Sequence, residues 1–142
     1  MRVSREQAAL NRERIVECAA RLFREHGFEG VGVDAVMREA GLTHGGFYGH
    51  FTNKEELIGV ACARAITDFL AHWRPRGYAA LLESYLSEKH VQNPGRGCLL
   101  ASLGSDLARQ SERVRSVVQP ALEEMVEFLG EGDRELGVFR CA

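Results

Sequence analysis

The side chains best suited to chemistry lie between residues 43 and 54. Tyr48, His50 and Lys54 are hydrogen-bond donors suited to phosphate oxygens. Lys54 also stands at the predicted start of a helix, where backbone N–H groups and the helix dipole attract anions. Thr43 and His44 precede them, at the N-terminal end of a predicted short helix. Side chains at this end of a helix can meet base edges in a DNA major groove. This pattern favours non-covalent recognition of double-stranded DNA.

The sequence offers little support for other chemistry. His44 and His50 have no carboxylate or cysteine at a metal-ligand spacing, so we predict no metal site. The sequence contains no serine-centred elbow and no paired acids on one face. Gly45 and Gly46 do not follow a strand, so they are no nucleotide-binding fingerprint. We therefore expect neither an enzyme nor a cofactor.

Helices must position these residues, because no alternating β-branched run predicts a strand. Apolar residues recur every three or four positions over residues 4–26 and again over residues 54–75, which predicts two amphipathic helices. Short helices are expected over residues 33–40 and 43–51, joined by a turn at Gly41. Further helices are expected over residues 78–88, 97–109 and 111–129, with Pro120 kinking or interrupting the last one. The predicted class is all-α.

Residues 33–57 have the parts of a helix-turn-helix. Ala40 is small where two helices approach, Gly41 suits a tight turn and Leu42 is an apolar plug. Together with the preceding helix, this stretch resembles the DNA-binding domain of the tetracycline-repressor (TetR) family of bacterial regulators. The resemblance rests on Ile15, Ala19, Leu22, Phe23, Gly27, Phe28, Val33, Asp34, Val36, Ala40, Gly41, Leu42, Thr43, Gly45, Phe47, Tyr48, His50, Phe51, Lys54, Glu55 and Leu57.

The resemblance implies which residues meet DNA. Base contacts are expected from Thr43, His44, Gly45, Gly46 and Phe47. Phosphate contacts are expected from Tyr48, His50 and Lys54. The sequence departs from the family at Val31 and Gly32, where a Thr or Ser usually caps the second helix and touches phosphate.

Glycine at positions 45, 46 and 49 weakens the recognition helix. Each glycine costs roughly 1 kcal/mol of helix propensity relative to alanine. We therefore expect base readout to rest on Thr43, His44 and close backbone approach, supplemented by DNA shape. The same glycines predict a helix that is poorly ordered until DNA is bound.

The composition changes near residue 53, which divides the chain into residues 1–53 and residues 54–142. The resemblance implies that the first part is a DNA-binding domain and the second a helical ligand-binding and dimerisation domain. The resemblance implies a homodimer and an unknown small-molecule effector, held by inward apolar stripes. The candidate pocket residues are Trp73, Tyr85, Leu99, Leu103, Val118, Leu122 and Met125. The segment after Leu129 is glycine-rich and charged, so we expect a shortened second domain without the family's last two helices.

The whole chain has 142 residues and a formal net charge of −2, which excludes a histone-like polycation. It contains no apolar run long enough to span a membrane and no apolar core of a signal peptide near residue 1, which favours the cytoplasm. The scattered cysteines are expected to be small, reduced and at least partly buried. Two alternatives to a ligand-released repressor remain open, a redox-responsive regulator acting through Cys98 and an interaction module with impaired DNA binding.

Overall fold

The computed structural model describes the backbone of residues 3–136 and the side chains of residues 3–131, and the described part contains helices and no strand. The elements are α1 (Arg5–His26), α2 (Val33–Glu39), a first 3₁₀ helix (His44–Gly49), α3 (Lys54–Trp73), α4 (Tyr78–Tyr85), α5 (Glu88–Val91), a second 3₁₀ helix (Pro94–Arg96), α6 (Leu99–Ala108) and α7 (Glu112–Leu136). The all-α class is thereby confirmed. None of the described helices is long and apolar enough to cross a membrane.

Local capping explains where α1 begins and ends. The Ser4 hydroxyl accepts a hydrogen bond from the Gln7 N–H at 3.1 Å, which satisfies one of the free donors of the first turn. At the other end Gly27 has a φ of +78°, and its N–H donates to the Phe23 carbonyl at 2.8 Å. This left-handed backbone favours glycine. Both boundaries agree with the sequence-based prediction.

α3 begins with two capping hydrogen bonds. The Asn53 side chain accepts from the Glu56 N–H at 2.9 Å, and the Glu56 carboxylate accepts from the Thr52 N–H at 2.6 Å. The bond from Thr52 stabilises the ionised carboxylate and lowers the pKa of Glu56. The pair resembles a capping box, except that the carboxylate reaches the residue before the N-cap, and it stabilises the first turn of α3, which carries Lys54.

α3 lies at the centre of the molecule and packs against both α1 and α7. Its buried side chains belong to one apolar cluster that runs from Ile15 to Phe128. Gly59 allows the closest approach to α7, since a Cβ built on it would lie 3.4 Å from the side chain of Val117. The helix that carries Lys54 is therefore held between the two predicted parts of the chain.

The second half of the chain corrects several expected boundaries. The helix expected over residues 78–88 ends at Tyr85 and is followed by the separate α5. The helix expected over residues 97–109 begins at Leu99. α7 continues through Pro120 to Leu136, beyond the expected end at Leu129. Its buried face extends across Pro120, with Val118 and Ala121 on either side, so packing outweighs the lost backbone hydrogen bond. The rest of the glycine-rich C-terminal segment, residues 137–142, lies outside the described residues.

Candidate nucleic-acid interface

A compact turn joins α2 to the first 3₁₀ helix. Gly41 has a φ of +70° and donates to the Arg38 carbonyl at 3.0 Å, and Leu42 donates to the Met37 carbonyl at 2.9 Å. Ala40 is buried and Leu42 is half-buried against the core. These positions match the small residue, turn residue and apolar plug predicted for a helix-turn-helix.

The segment expected to be a third α-helix over residues 43–51 is instead a 3₁₀ helix from His44 to Gly49. Thr43 occupies the N-cap position, but its side chain makes no capping hydrogen bond. Three glycines in six residues leave few side chains to stabilise an α-helical turn, and short 3₁₀ segments are common in such connections. The weakness expected from the glycines therefore takes the form of an altered helix type.

The expected base-contacting residues separate into an exposed group and a buried one. Thr43, His44, Gly45 and Gly46 are exposed to solvent. Phe47 is fully buried, and its ring stacks on that of Phe51 with centroids 5.6 Å apart. This corrects the expectation that Phe47 contacts a base, because its side chain anchors the 3₁₀ helix to the core and faces away from solvent.

Asp34 is a functional candidate that the sequence reasoning missed. The imidazole Nδ1 of His44 pairs with the Asp34 carboxylate, which lies in the first turn of α2. The His44 ring also meets the Tyr48 ring edge-on, with centroids 5.9 Å apart. The ten-residue separation between Asp34 and His44 gave no local signal of this contact. Two neighbours, one acidic and one aromatic, thus orient the His44 ring.

The expected phosphate-contacting residues lie at differing depths. Tyr48 is 63% exposed, whereas its neighbour Phe51 is only 2% exposed and belongs to the core. His50 is half-buried. Lys54 is also half-buried, and its Nζ donates to the backbone carbonyl of Phe28 at 2.5 Å. An ammonium group has three donors, so this contact leaves Lys54 able to bind an anion.

Basic groups surround this surface. The Arg12 guanidinium lies 4.8 Å from the centre of the Phe51 ring, and Arg38 is exposed on α2. Arg5 is exposed at the start of α1. Gly32 is the N-cap residue of α2 and, as expected from its lack of a hydroxyl, provides no side-chain hydrogen bond there. Positive charge on α1 and α2 can therefore complement a phosphate backbone, with one anchor fewer than the family pattern offers.

Six of the seven residues expected to line one ligand pocket are spread over three different cavities. Trp73 and Leu99 line a cavity of about 660 Å³ beside α1, and Tyr85 lines one of about 440 Å³ between α4 and α6. Val118 and Leu122 line a third, of about 430 Å³, between α6 and α7. Met125 borders the first two, and Leu103 is buried and borders none of the three. The inward stripes of α3, α6 and α7 meet different neighbours, which corrects the expectation of one shared pocket.

The described cysteines are free thiols in two environments. Burial raises the pKa of Cys62 to about 12, so its thiol stays protonated and unreactive at neutral pH. Cys18 and Cys98 are half-buried, and Cys98 is the N-cap residue of α6. The fourth, Cys141, lies outside the described residues.

Comparisons with known proteins agree with this geometry. The family model described as "Bacterial regulatory proteins, tetR family" matches residues 15–61. HTH-type transcriptional regulators of Staphylococcus aureus strains USA300 and COL are each 34% identical to the chain over 70 residues, which is 49% of this chain. The match covers only 38% of each relative's length.

A solved structure extends the likeness beyond the first helices. The crystal structure of E. coli NemR in its reduced form has a TM-score of 0.63 and 22% sequence identity, covering 88% of this chain and 72% of that chain. At this identity the likeness shows a shared helical fold. The relatives from Staphylococcus aureus are named as transcriptional regulators and not as enzymes. Residues 15–61 are therefore similar to the tetR family of bacterial regulatory proteins, and the helix-turn-helix geometry of this part agrees with that match.

Proposed function

We propose that this chain is a DNA-binding transcriptional regulator, and specifically a repressor that binds an inverted-repeat operator as a homodimer and is released by a small-molecule effector. One observation carries the proposal. The exposed polar face of the first 3₁₀ helix follows a helix-turn-helix turn, within the residues that match the family. Operator DNA lies in the bacterial cytoplasm, where the regulator would act.

The proposed contacts fall into two groups. Thr43 and His44 read base edges, while Gly45 and Gly46 allow the backbone to approach the groove closely. Support comes from Gly45, because a Cβ built on it meets no atom within 4 Å in the free protein and its backbone is therefore open to an approaching duplex. Tyr48, His50 and Lys54 bind phosphate oxygens and set the register on the duplex.

Dimerisation follows from the geometry of DNA. Two recognition elements must reach half-sites about 34–36 Å apart, or a multiple of that distance. α3 is a single helix of 20 residues with Lys54 at one end and Trp73 at the other. A ligand that displaces the Trp73 end would change the separation of the two recognition elements, so ligand and operator would favour different states of the dimer.

An interaction module is the second candidate. Leu86 and Val91, which flank and end α5, are 80% and 78% exposed, and Val126 on α7 is 67% exposed. Exposed apolar side chains are common on any surface, but a group of them suits contact with another protein chain. A folded chain that forms a hetero-complex and recovers no DNA would favour this second function.

Selection of bound duplexes from random DNA tests the proposal. The purified chain is incubated with the library at two salt concentrations, beside a Tyr48→Ala variant of the DNA-facing surface and an Arg109→Met variant of the exposed end of α6. We expect the wild type and Arg109→Met to recover the same inverted repeat, with binding that falls steeply with salt. Recovery of no motif by a chain that is folded in circular dichroism would contradict the proposal.

A further inference from the structure

The largest of the three cavities lies where α1 meets α3 and the second 3₁₀ helix, outside the proposed DNA-facing surface. Its volume is about 660 Å³, within the range of small-molecule sites. α1 contributes Arg24, α3 contributes Trp73, and the second 3₁₀ helix contributes Arg96. A molecule in this cavity would contact the predicted DNA-binding and regulatory parts of the chain at once.

The lining is rich in cationic groups. Its charged or titratable side chains are Glu17, Cys18, Arg21, Arg24, Arg64, Asp68, His72 and Arg96. Arg21 is paired with Glu25 and Glu39, and Arg64 is paired with Glu13 and Asp68. Arg24 and Arg96 have no carboxylate within 4 Å among the described residues. The unpaired charge of the lining is therefore mainly positive, since Glu17 is its one acid without an ion-pair partner among the described residues.

Arg24 is the central observation. Its Nε donates to the Ala20 carbonyl at 3.0 Å and its Nη1 donates to the Gly97 carbonyl at 3.3 Å. The side chain is half-buried, and this burial lowers the pKa of Arg24 from its ordinary value. A guanidinium has five N–H donors in a planar fork, so several remain for an anion. Asp68 and Glu25 act on this guanidinium only from beyond ion-pair distance, so an anion that binds it directly would offset part of the cost of its burial.

An apolar wall completes the cavity beside these charges. Phe69 and Trp73 contribute rings whose centroids are 6.4 Å apart, and Leu99 and Met125 contribute buried aliphatic side chains. The His72 ring packs edge-on against Trp73 at 4.7 Å. The surface thus combines an aromatic face with a cationic end, which suits a ligand that has an aromatic ring and an anionic group.

We propose that this cavity binds a small aromatic carboxylate, whose ring packs against Phe69 and Trp73 and whose carboxylate accepts hydrogen bonds from Arg24 and Arg96. The inference rests on the proposed function, because it names the chemical class of the effector that releases the regulator. It also differs from the expectation that inward apolar stripes hold the effector, since those stripes do not meet in one pocket.

Tight packing between the second 3₁₀ helix and α1 connects the cavity to the predicted DNA-binding part of the chain. Gly95 is buried, and a Cβ built on it would lie 2.3 Å from the Glu25 carboxylate and 2.9 Å from Arg21 Cγ. The second 3₁₀ helix therefore lies directly on α1. A ligand bridging Arg24 and Arg96 acts across this contact and biases the position of α1 relative to the second 3₁₀ helix.

Fluorescence of the chain's single tryptophan, Trp73, gives a direct readout of the cavity. The intact 142-residue chain is titrated with benzoate, 3-phenylpropionate and 4-phenylbutyrate, and with the neutral amide of each. We expect at least one carboxylate to shift the Trp73 emission saturably, and its amide to bind about tenfold more weakly or worse, because charge-assisted hydrogen bonds are lost. No saturable shift with any of the three acids, or equal affinity for acid and amide, overturns the proposal.

Variants locate the binding. Arg24→Met should weaken carboxylate binding about tenfold or more, Arg24→Lys should restore part of it, and Arg109→Met on α6 should leave it unchanged. If Arg24→Met does not fold, the exposed Arg96→Met serves the same purpose. Unchanged affinity in both Met variants contradicts the assignment. Duplex binding is measured separately without any acid, so failure of DNA recognition is distinguished from failure of this site.

Discussion

The ammonium group of Lys54 donates to the backbone carbonyl of Phe28 at 2.5 Å, although 26 positions separate the two residues. This contact ties the first turn of α3 to the turn that follows α1. Lys54 thus has a structural partner in the free protein as well as a proposed phosphate partner in the complex. The two roles are compatible, because one carbonyl uses only one of its three donors.

Replacing Lys54 with Met should therefore affect both folding and DNA binding. We expect a loss of about 1.5–3 kcal/mol in the free energy of unfolding, the usual contribution of a hydrogen bond that involves a charged group. The loss arises because the Phe28 carbonyl no longer accepts a hydrogen bond from Lys54, and urea denaturation measures it. The slope of the logarithm of the duplex-binding constant against the logarithm of the salt concentration should fall in magnitude by about one, the value expected for one phosphate contact. Full stability in the variant would show that the contact with Phe28 contributes nothing.

Tyr48 and His44 should differ in how they affect DNA binding. Tyr48→Phe removes an exposed hydroxyl assigned to phosphate, so it should weaken binding to all duplexes alike. His44→Ala removes a proposed base contact, so it should relax preference at one base position of each half-site. Competition assays with single-base variants of the selected duplex separate the two effects. Identical behaviour of the two variants would contradict the division into phosphate and base contacts.

Asp34 should act on DNA through His44. Asp34→Ala removes the carboxylate that orients the imidazole and also removes a negative charge near the DNA. We expect tighter overall binding with less discrimination at the position that His44 reads, because the ring loses a fixed orientation. In His44→Ala the Asp34 change should alter overall affinity alone. If Asp34→Ala leaves discrimination intact, the pairing does not position His44.

Two glycines offer a matched test of backbone packing. Gly45→Ala meets open space, so unfolding stability should stay unchanged or rise by up to about 1 kcal/mol, while DNA affinity falls because the new methyl group occupies the proposed interface. Gly95→Ala forces Glu25 and Arg21 apart, which should cost about 1–3 kcal/mol. Thermal melts and duplex titrations of both variants give the comparison. An unstable Gly45→Ala or a fully stable Gly95→Ala would contradict the described packing.

Cys62 predicts an alkaline loss of stability. Its folded pKa is raised from the ordinary 9.0 to about 12 by burial, so its contribution is fully present below pH 9 and is lost as the pH rises from 9 to 12. The expected loss is at most about 1.4 kcal/mol per pH unit in that window. Cys62→Ala should show a shallower decline, measured by urea denaturation across this range. Equal slopes in both proteins would show that the buried thiol does not titrate as expected.

Local signals account for the parts of the fold that the sequence predicted. Ser4, Gly27 and Asn53 act through neighbours within four residues, so the bounds of α1 and the start of α3 follow from short patterns. The path of α7 across Pro120 depends on packing against other helices, which no local pattern describes. The pocket residues were likewise assigned to one site although their stripes meet different neighbours.

The candidate nucleic-acid interface shows the same difference between local signals and tertiary contacts. The exposure of Tyr48 agrees with the phosphate contact expected of it, whereas the burial of Phe47 was not anticipated. Phe47 and Phe51 are four positions apart, a spacing that places both on one face and would have indicated a shared inward direction. The pairing of His44 with Asp34 brings two elements together, so it required the tertiary structure.

DNA recognition is the central claim, and the affinity ratio between a selected duplex and a scrambled duplex of equal length tests it most directly. Both duplexes are titrated at one near-physiological salt concentration by fluorescence anisotropy, and the mass of the saturated complex is measured alongside. The account predicts a preference of about a thousandfold or more for the selected duplex, with two chains bound. A ratio near one would contradict it, because non-specific attraction to phosphates would then explain all of the binding.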